Sequence, residues 1–186
     1  MPTPIDIRDS IAFPRHLVWL SYRDRLVEML PFLPSIRSIE VEKREEEQAQ
    51  VRLLNLWKAK ESEVPAVARP FVKSEMLEWR DYATWKEDVW RCEWRTELSF
   101  LKEAIHCSGV NEYTEVNGKT EIRILGEISV DGGKIPKVPR FMAPKLASTV
   151  EAFVCKVIKP NLVEINRGLE RFLREHPDDI AEVPER

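Results

Sequence analysis

The chain has three histidines and three cysteines, too few and too scattered to suggest a metal centre. His16, His106 and His176 stand far apart, no pair has ligand spacing, and Cys92, Cys107 and Cys155 form no C-x-x-C. No metal and no cofactor is therefore expected. There is also no G-x-G-x-x-G, no Walker loop and no G-x-S-x-G, which leaves nucleotide binding and a serine-hydrolase elbow without support. A concentrated basic excess is missing too: the net charge is −3, which gives no electrostatic case for nucleic acid. No uninterrupted apolar run approaches the roughly 20 residues of a membrane-spanning helix, so no integral membrane segment is expected. The opening Met1-Pro-Thr-Pro-Ile-Asp-Ile-Arg-Asp9 shows neither a cationic leader nor an apolar h-region, which argues against a secretory signal. An odd number of widely spaced cysteines suggests no disulfide framework and a reducing compartment, so the expected location is cytoplasmic.

What is present fits one α+β domain. A length of 186 residues, with 43% hydrophobic and 33% charged side chains, is enough to bury a core under a well-solvated surface. The expected ordered domain spans 1–176, and the acidic end at 177–186, with Asp178, Asp179, Glu182 and Glu185, reads as a disordered tail. No repeat or linker divides the chain. The unusual component is six tryptophans, of which Trp79, Trp85, Trp90 and Trp94 fall in one short segment. A single tryptophan is most simply core filler, but four together on one element call for a further explanation.

Hydrophobic periodicity predicts the elements. Residues Pro4 to Phe13 alternate, with Ile5, Ile7, Ile11 and Phe13 on one side, as in a half-buried strand. Pro14 stops it and can start a helix. Arg15 to Leu30 is amphipathic at helical spacing, forming one bent helix or two short ones ended by Pro31 and Pro34. Strands follow at Ile36 to Lys43 and Ala49 to Ala59 around an acidic turn at Glu45-Glu46-Glu47, and Val64 to Val72 reads as a helical turn. Val51, Leu53, Asn55 and Trp57 share a face of the second of these strands.

Two hairpins come next. Ile105 to Val116 and Lys119 to Val130 flank Asn117-Gly118, the strongest short signal for a two-residue type I′ turn. That turn pairs Val116 with Lys119 and places Ile105, Cys107, Gly109, Asn111 and Tyr113 beside Val130, Ile128, Gly126, Ile124 and Ile122 on one face. Glu112 then meets Arg123 on the other face, and Thr114 meets Glu121. His106 falls on that charged side, while Cys107 reads as a small buried hydrophobe. For Met76 to Lys86 and Val89 to Phe100, a turn at Glu87-Asp88 sets Trp85 opposite Trp90, Ala83 opposite Cys92, Asp81 opposite Trp94 and Trp79 opposite Thr96. The tryptophans then share the inward face.

A long helical pattern from about Arg140 to Arg174 closes the chain, with an apolar stripe of Leu146, Val150, Phe153, Val157, Leu162, Ile165, Leu169 and Phe172. Pro160 lies within it and predicts a kink.

The Asn117-Gly118-Lys119-Thr120 hairpin, the strand end Gly126-Glu-Ile-Ser-Val-Asp131 and the helix lead-in Pro139-Arg-Phe-Met-Ala-Pro-Lys145 carry a family resemblance. With the element order, they resemble the START-related helix-grip superfamily, which includes polyketide cyclase-like proteins and birch-pollen allergens, and in particular its uncharacterised bacterial members. The resemblance spans Ile5 to about Leu173. It implies a seven-stranded curved antiparallel sheet around a long C-terminal helix, with two short helices after the first strand. It also implies an apolar cavity for lipids, sterols, polyketides or aromatic compounds. These motifs are structural, and the fold hosts transport, cyclisation and plain binding alike.

The expected ligand contacts on the sheet are Trp79, Asp81, Trp85, Trp90 and Trp94 of the first hairpin and Asn111, Tyr113, Ile122 and Ile124 of the second. Met142, Lys145, Thr149 and Phe153 join them from the long helix. Aromatic side chains with a few polar groups on one concave face are the usual make-up of a pocket. An inward Asp81 needs a partner, because an unpaired carboxylate among tryptophans is costly. The leading expectation is a binding or transport protein for an apolar small molecule, monomeric or weakly dimeric. The rivals are a cyclase- or hydratase-like enzyme using Asp81 or Tyr113 as general acid/base, and a non-catalytic interaction module. The charged outer strand faces argue against the last.

Overall fold

The structure, a computed structural model, describes residues 2–63, 77–99, 102–135 and 139–177. Within the long helix the side chains of Leu146, Thr149, Val150, Phe153, Val154, Lys156, Val157 and Lys159 lie outside the description, as does the turn expected at Val64 to Val72.

Among the described residues, seven strands form one antiparallel sheet: β1 (Thr3–Ile11), β2 (Ile36–Glu47), β3 (Gln50–Ala59), β4 (Glu78–Lys86), β5 (Arg91–Leu98), β6 (Ile105–Val116) and β7 (Lys119–Val130). Their order is β1-β7-β6-β5-β4-β3-β2. Between β1 and β2 run helix α1 (Arg15–Asp24) and a single 3-10 turn at Leu30–Phe32, and helix α2 (Ala143–Glu175) ends the fold. This is the helix-grip architecture, a curved sheet with one face wrapped toward α2.

Strand alternation decides which face is wrapped. On β1, Ile5 and Ile11 are buried while Pro4, Asp6, Arg8 and Ser10 are exposed, the period-2 pattern of a sheet with one wet face. Register shifts between Ile36 and Ser38 and between Val41 and Lys43 interrupt the β2–β3 ladder, and such bulges bend a strand. The outer face is laced with ion pairs such as Arg123–Asp6 at 3.0 Å and Arg80–Glu42 at 2.8 Å, and Arg91 pairs with Glu112.

The β6–β7 hairpin has the expected register, with Val116 opposite Lys119, Glu112 opposite Arg123 and Thr114 opposite Glu121. Asn117 and Gly118 take φ of 53° and 73°, the left-handed pair a type I′ turn requires. His106 is exposed and Cys107 buried, as expected.

Two turns differ from expectation. The β4–β5 connection is a four-residue loop, in which Glu87–Val89 form a 3-10 turn and Trp90 adopts the left-handed conformation. Trp85 therefore pairs with Cys92, Ala83 with Trp94, Asp81 with Thr96 and Trp79 with Leu98, two positions from the expected register. Glu-Asp lacks the positive φ that a two-residue turn demands at both positions, so the chain takes a longer loop. An even displacement returns every side chain to the same face, and the inward placement of Trp79, Asp81, Trp85 and Trp94 survives. Similarly, Glu45, Glu46 and Glu47 are not a turn. They extend β2 opposite Arg52, Val51 and Gln50, and Gln48-Ala49 make the reversal, with Gln48 at φ 49°. Lys43–Glu45 at 2.7 Å and Arg52–Glu47 at 3.2 Å offset charge along that strand end.

Helix α2 starts three residues later than expected, with Pro144 in its first turn, and continues through Pro160. Its second half is the anchor. Leu169, Phe172 and Leu173 are buried with Met29 and Leu33, and Gly168 approaches so closely that a Cβ there would lie 2.5 Å from Leu33 Cδ2. Polar ties reinforce the seam: Asn166 Nδ2 donates to Asp9 at 3.1 Å, Ser35 Oγ to Glu164 at 2.8 Å, and Arg171 to the Phe32 carbonyl at 2.7 Å.

Candidate functional site

The concave face of the β4–β5 hairpin has two unlike ends. Toward the loop, Ala83, Trp85, Cys92 and Trp94 are buried; toward the other end, Trp79, Asp81, Thr96 and Leu98 keep part of their surface accessible. Helix α1 makes the difference. Its Trp19, wholly buried, packs edge-on against Trp85, Trp90 and Tyr113 at centroid distances of 4.9, 5.3 and 5.3 Å. Tyr22, one turn on, lies edge-on to Trp85 at 5.1 Å. Edge-to-face stacking of this kind adds to area burial, and it closes the loop end. Trp90 sits in the loop with the Arg15 guanidinium 4.1 Å from its ring centroid.

Sealing at this end is incomplete in hydrogen-bond terms. The indole N–H groups of Trp19 and Trp85 and the Tyr113 hydroxyl are out of reach of solvent and without a partner, and at the other end, beside Trp79 and Asp81, the same holds for the Trp57 indole N–H and the Asn55 carbonyl oxygen. Trp94 is satisfied, since its Nε1 donates to Asn111 Oδ1 at 2.8 Å. The ring of Trp94 lies over Gly109, where a Cβ would come within 2.6 Å of it and 2.3 Å of the Leu125 carbonyl oxygen. A side chain at position 109 would displace that ring.

At the accessible end, Trp79 stacks on Trp57 with centroids 5.9 Å apart and planes 11° from parallel. Next to it, Asp81 stands between Asn55 of β3 and Thr96 of β5, and its side-chain hydrogen bond is a long one, 3.5 Å from Asn55 Nδ2. Dehydration raises its pKa to about 6, against a smaller opposing effect of that amide. The surrounding acids stay neutral. Burial pushes Tyr22 and Cys92 well above their ordinary values, with the Asp81 charge adding to both. Cys107 is raised to about 12 by burial, then by Cys155 and Asp81. Tyr113 is raised well above its ordinary value by burial, then by Cys92 and Tyr22, with Asn111 opposing. Asp81 is thus within electrostatic reach of Tyr22, Cys92 and Cys107, and among these groups it alone exchanges a proton near neutral pH.

The expected contacts divide accordingly. Trp79 and Asp81 line the accessible end. Trp85, Trp94, Asn111, Tyr113, Ile122 and Ile124 face the same side but are buried in the core, because α1 lays two aromatic rings over that end. Trp90 belongs to the loop. Met142 and Lys145 are exposed at the start of α2 rather than enclosed, since the helix begins later than its apolar pattern suggests. Thr149 and Phe153 lie outside the described side chains. Sequence reasoning missed Tyr22 and the capping role of Trp19; their i, i+3 spacing on α1 is the signal that could have found them. Among the described residues no group of three or more His, Cys, Asp or Glu could hold a metal ion, and no helix is long and apolar enough to cross a membrane. Two outer grooves, one about Arg37, Glu40, Lys58 and Glu78 and one about Arg8, Glu112, Glu121 and Arg123, carry charges of both signs and read as solvated surface.

Several solved structures share this architecture. The Zhui aromatase/cyclase from Streptomyces sp. R1128 aligns at 13% identity with a TM-score of 0.68, over 98% of this chain and 100% of that one. Norcoclaurine synthase from Thalictrum flavum, solved with dopamine and hydroxybenzaldehyde, aligns at 14% identity with a TM-score of 0.59, over 95% of this chain and 88% of that one. The di-domain ARO/CYC StfQ of the steffimycin pathway aligns at 10% identity with a TM-score of 0.63, over 94% of this chain and 52% of that one. No protein-family profile matches the chain, nor does any curated protein sequence. The protein has the helix-grip fold that these cyclases and norcoclaurine synthase share.

Proposed function

We propose that the protein binds an aromatic or otherwise apolar small molecule at the accessible end of the concave face, with Asp81 as its polar anchor. The observation that carries this reading is a half-buried carboxyl, weakly hydrogen-bonded, beside apolar surface left accessible on Trp79 and Leu98. Such a carboxyl is satisfied by a ligand group that donates to it when ionised or accepts from it when neutral. Similarly folded proteins acting on aromatic compounds support the class of ligand. The test is tryptophan fluorescence during titration with phenolic aromatics, fatty acids and sterols, alongside mass spectrometry of what copurifies. Saturable quenching that Trp79→Ala weakens about tenfold is expected. A flat response to the whole panel, with nothing copurifying, overturns the reading.

A second reading, acid–base catalysis on the bound molecule, is favoured by the Asp81 pKa of about 6. A group tuned near the working pH transfers protons efficiently. Asp81→Asn should then abolish turnover while sparing affinity for a neutral ligand; undiminished turnover in that variant excludes the role.

A further inference from the structure

Away from the concave face, one surface combines exposed apolar side chains with a local excess of basic residues. Phe141 is 84% exposed and Met142 is 50% exposed, adjacent in the turn ahead of α2. Lys134, Arg140 and Lys145 beside them are exposed as well. In the sequence no Asp or Glu falls between Asp131 and Glu151, although four basic residues do, in a chain of net charge −3. The fold gathers these groups. The 3-10 turn at Gly132–Lys134 packs on the start of α2 so closely that a Cβ on Gly132 would lie 2.2 Å from the Ala143 carbonyl oxygen. The bordering acid, Asp131, turns its carboxylate onto the Gly133 amide at 3.0 Å.

We propose that this turn docks the protein on an anionic lipid bilayer, with Phe141 and Met142 entering the interface and Lys134 and Arg140 meeting the headgroups. An apolar tip ringed by cations matches the order of layers at such a surface, acyl boundary beneath anionic headgroups. Two protruding side chains are too small a patch for a stable protein interface. The inference stands apart from the ligand reading, since bilayer docking is measured without any ligand on the concave face.

The full chain is sedimented with vesicles of phosphatidylcholine alone and of phosphatidylcholine mixed with phosphatidylglycerol. Binding to the mixed vesicles is expected, about tenfold weaker with phosphatidylcholine alone, in high salt, and after either Phe141→Ser or Arg140→Glu. Both side chains are exposed, so melting temperature and circular dichroism should match the parent protein. Equal binding to the two vesicle types, binding to neither, or binding unchanged in both variants overturns the proposal. A dimer by light scattering that Phe141→Ser dissolves also overturns it, by assigning the patch to a second copy of the chain.

Discussion

Within one hairpin, the loop end and the far end of β4–β5 both turn a tryptophan-bearing row of side chains to the same face and yet differ in burial. Near the loop, aromatic rings from α1 cover Trp85 and Tyr113 and leave polar atoms sealed without partners. Farther along, Trp79, Asp81, Thr96 and Leu98 retain accessible surface. The difference teaches that an inward aromatic is not by itself a ligand contact. What packs over it from another element decides whether it is core or site.

The comparison is broken most directly by truncating one tryptophan from each end. Trp19→Ala removes a fully buried ring against which Trp85, Trp90 and Tyr113 pack, and should lower stability by about 3–5 kcal/mol. Trp79→Ala removes a half-buried ring, for which roughly half that loss is expected, together with weakened ligand binding. Urea unfolding of both variants measures the contrast. Equal losses would mean that the far end is core as well.

Asp81 sharpens the contrast through pH. Its folded pKa of about 6 lies above the ordinary 3.8, so the folded state holds the proton more tightly than the unfolded chain. Stability from this group is therefore greatest below about pH 4 and is lost as pH rises to about 6, by about 3 kcal/mol in all. Asp24, held low by Arg23 and Arg44 against the opposing effect of its burial, contributes in the opposite sense, gaining stability as pH rises through its lowered pKa. The informative quantity is accordingly the difference between parent and Asp81→Asn. Melting temperatures from pH 4 to pH 7 should diverge in favour of the variant as pH rises. Parallel curves would place Asp81 in water.

The sequence made the sheet legible because period-2 patterning and Asn117-Gly118 are local signals, and both specify a face. The β4–β5 register was not legible: nothing in Glu87-Asp88 announces a four-residue loop with Trp90 left-handed. The face assignment held only because the displacement was even. The site was half legible for a different reason. Inward residues follow from alternation, but the cover that α1 lays over Trp85 and Tyr113 depends on how a helix distant in sequence docks on the sheet. No window of the chain encodes that docking angle.

Gly109 tests the boundary between the two ends. Its lack of a side chain leaves room for the Trp94 ring and for the Leu125 carbonyl oxygen, which a Cβ would meet at 2.6 and 2.3 Å. Gly109→Ala should cost about 1–3 kcal/mol through overpacking and tilt Trp94 away from Asn111, a change visible as a shifted indole N–H resonance. An unchanged resonance with parental stability would show that neither the Trp94 ring nor the Leu125 carbonyl is held against position 109.

The smallest effect, and the finest test of the comparison, is Tyr113→Phe. The Tyr113 hydroxyl is buried without a hydrogen-bond partner, and a buried polar group in that state carries a desolvation penalty of about 1–3 kcal/mol. Removing the oxygen and keeping the ring deletes the penalty while preserving the packing against Trp19 and Trp85. Stability should stay level or rise by up to about 1 kcal/mol. Because the Tyr113 ring packs against Trp19 of α1, ligand affinity should not change, whereas Trp79→Ala should weaken it. A tenfold loss of affinity in Tyr113→Phe would mean that α1 lifts to admit the ligand. The loop end would then be a closed part of the site, and its unpaired indole and hydroxyl groups would be donors held in reserve for the bound molecule.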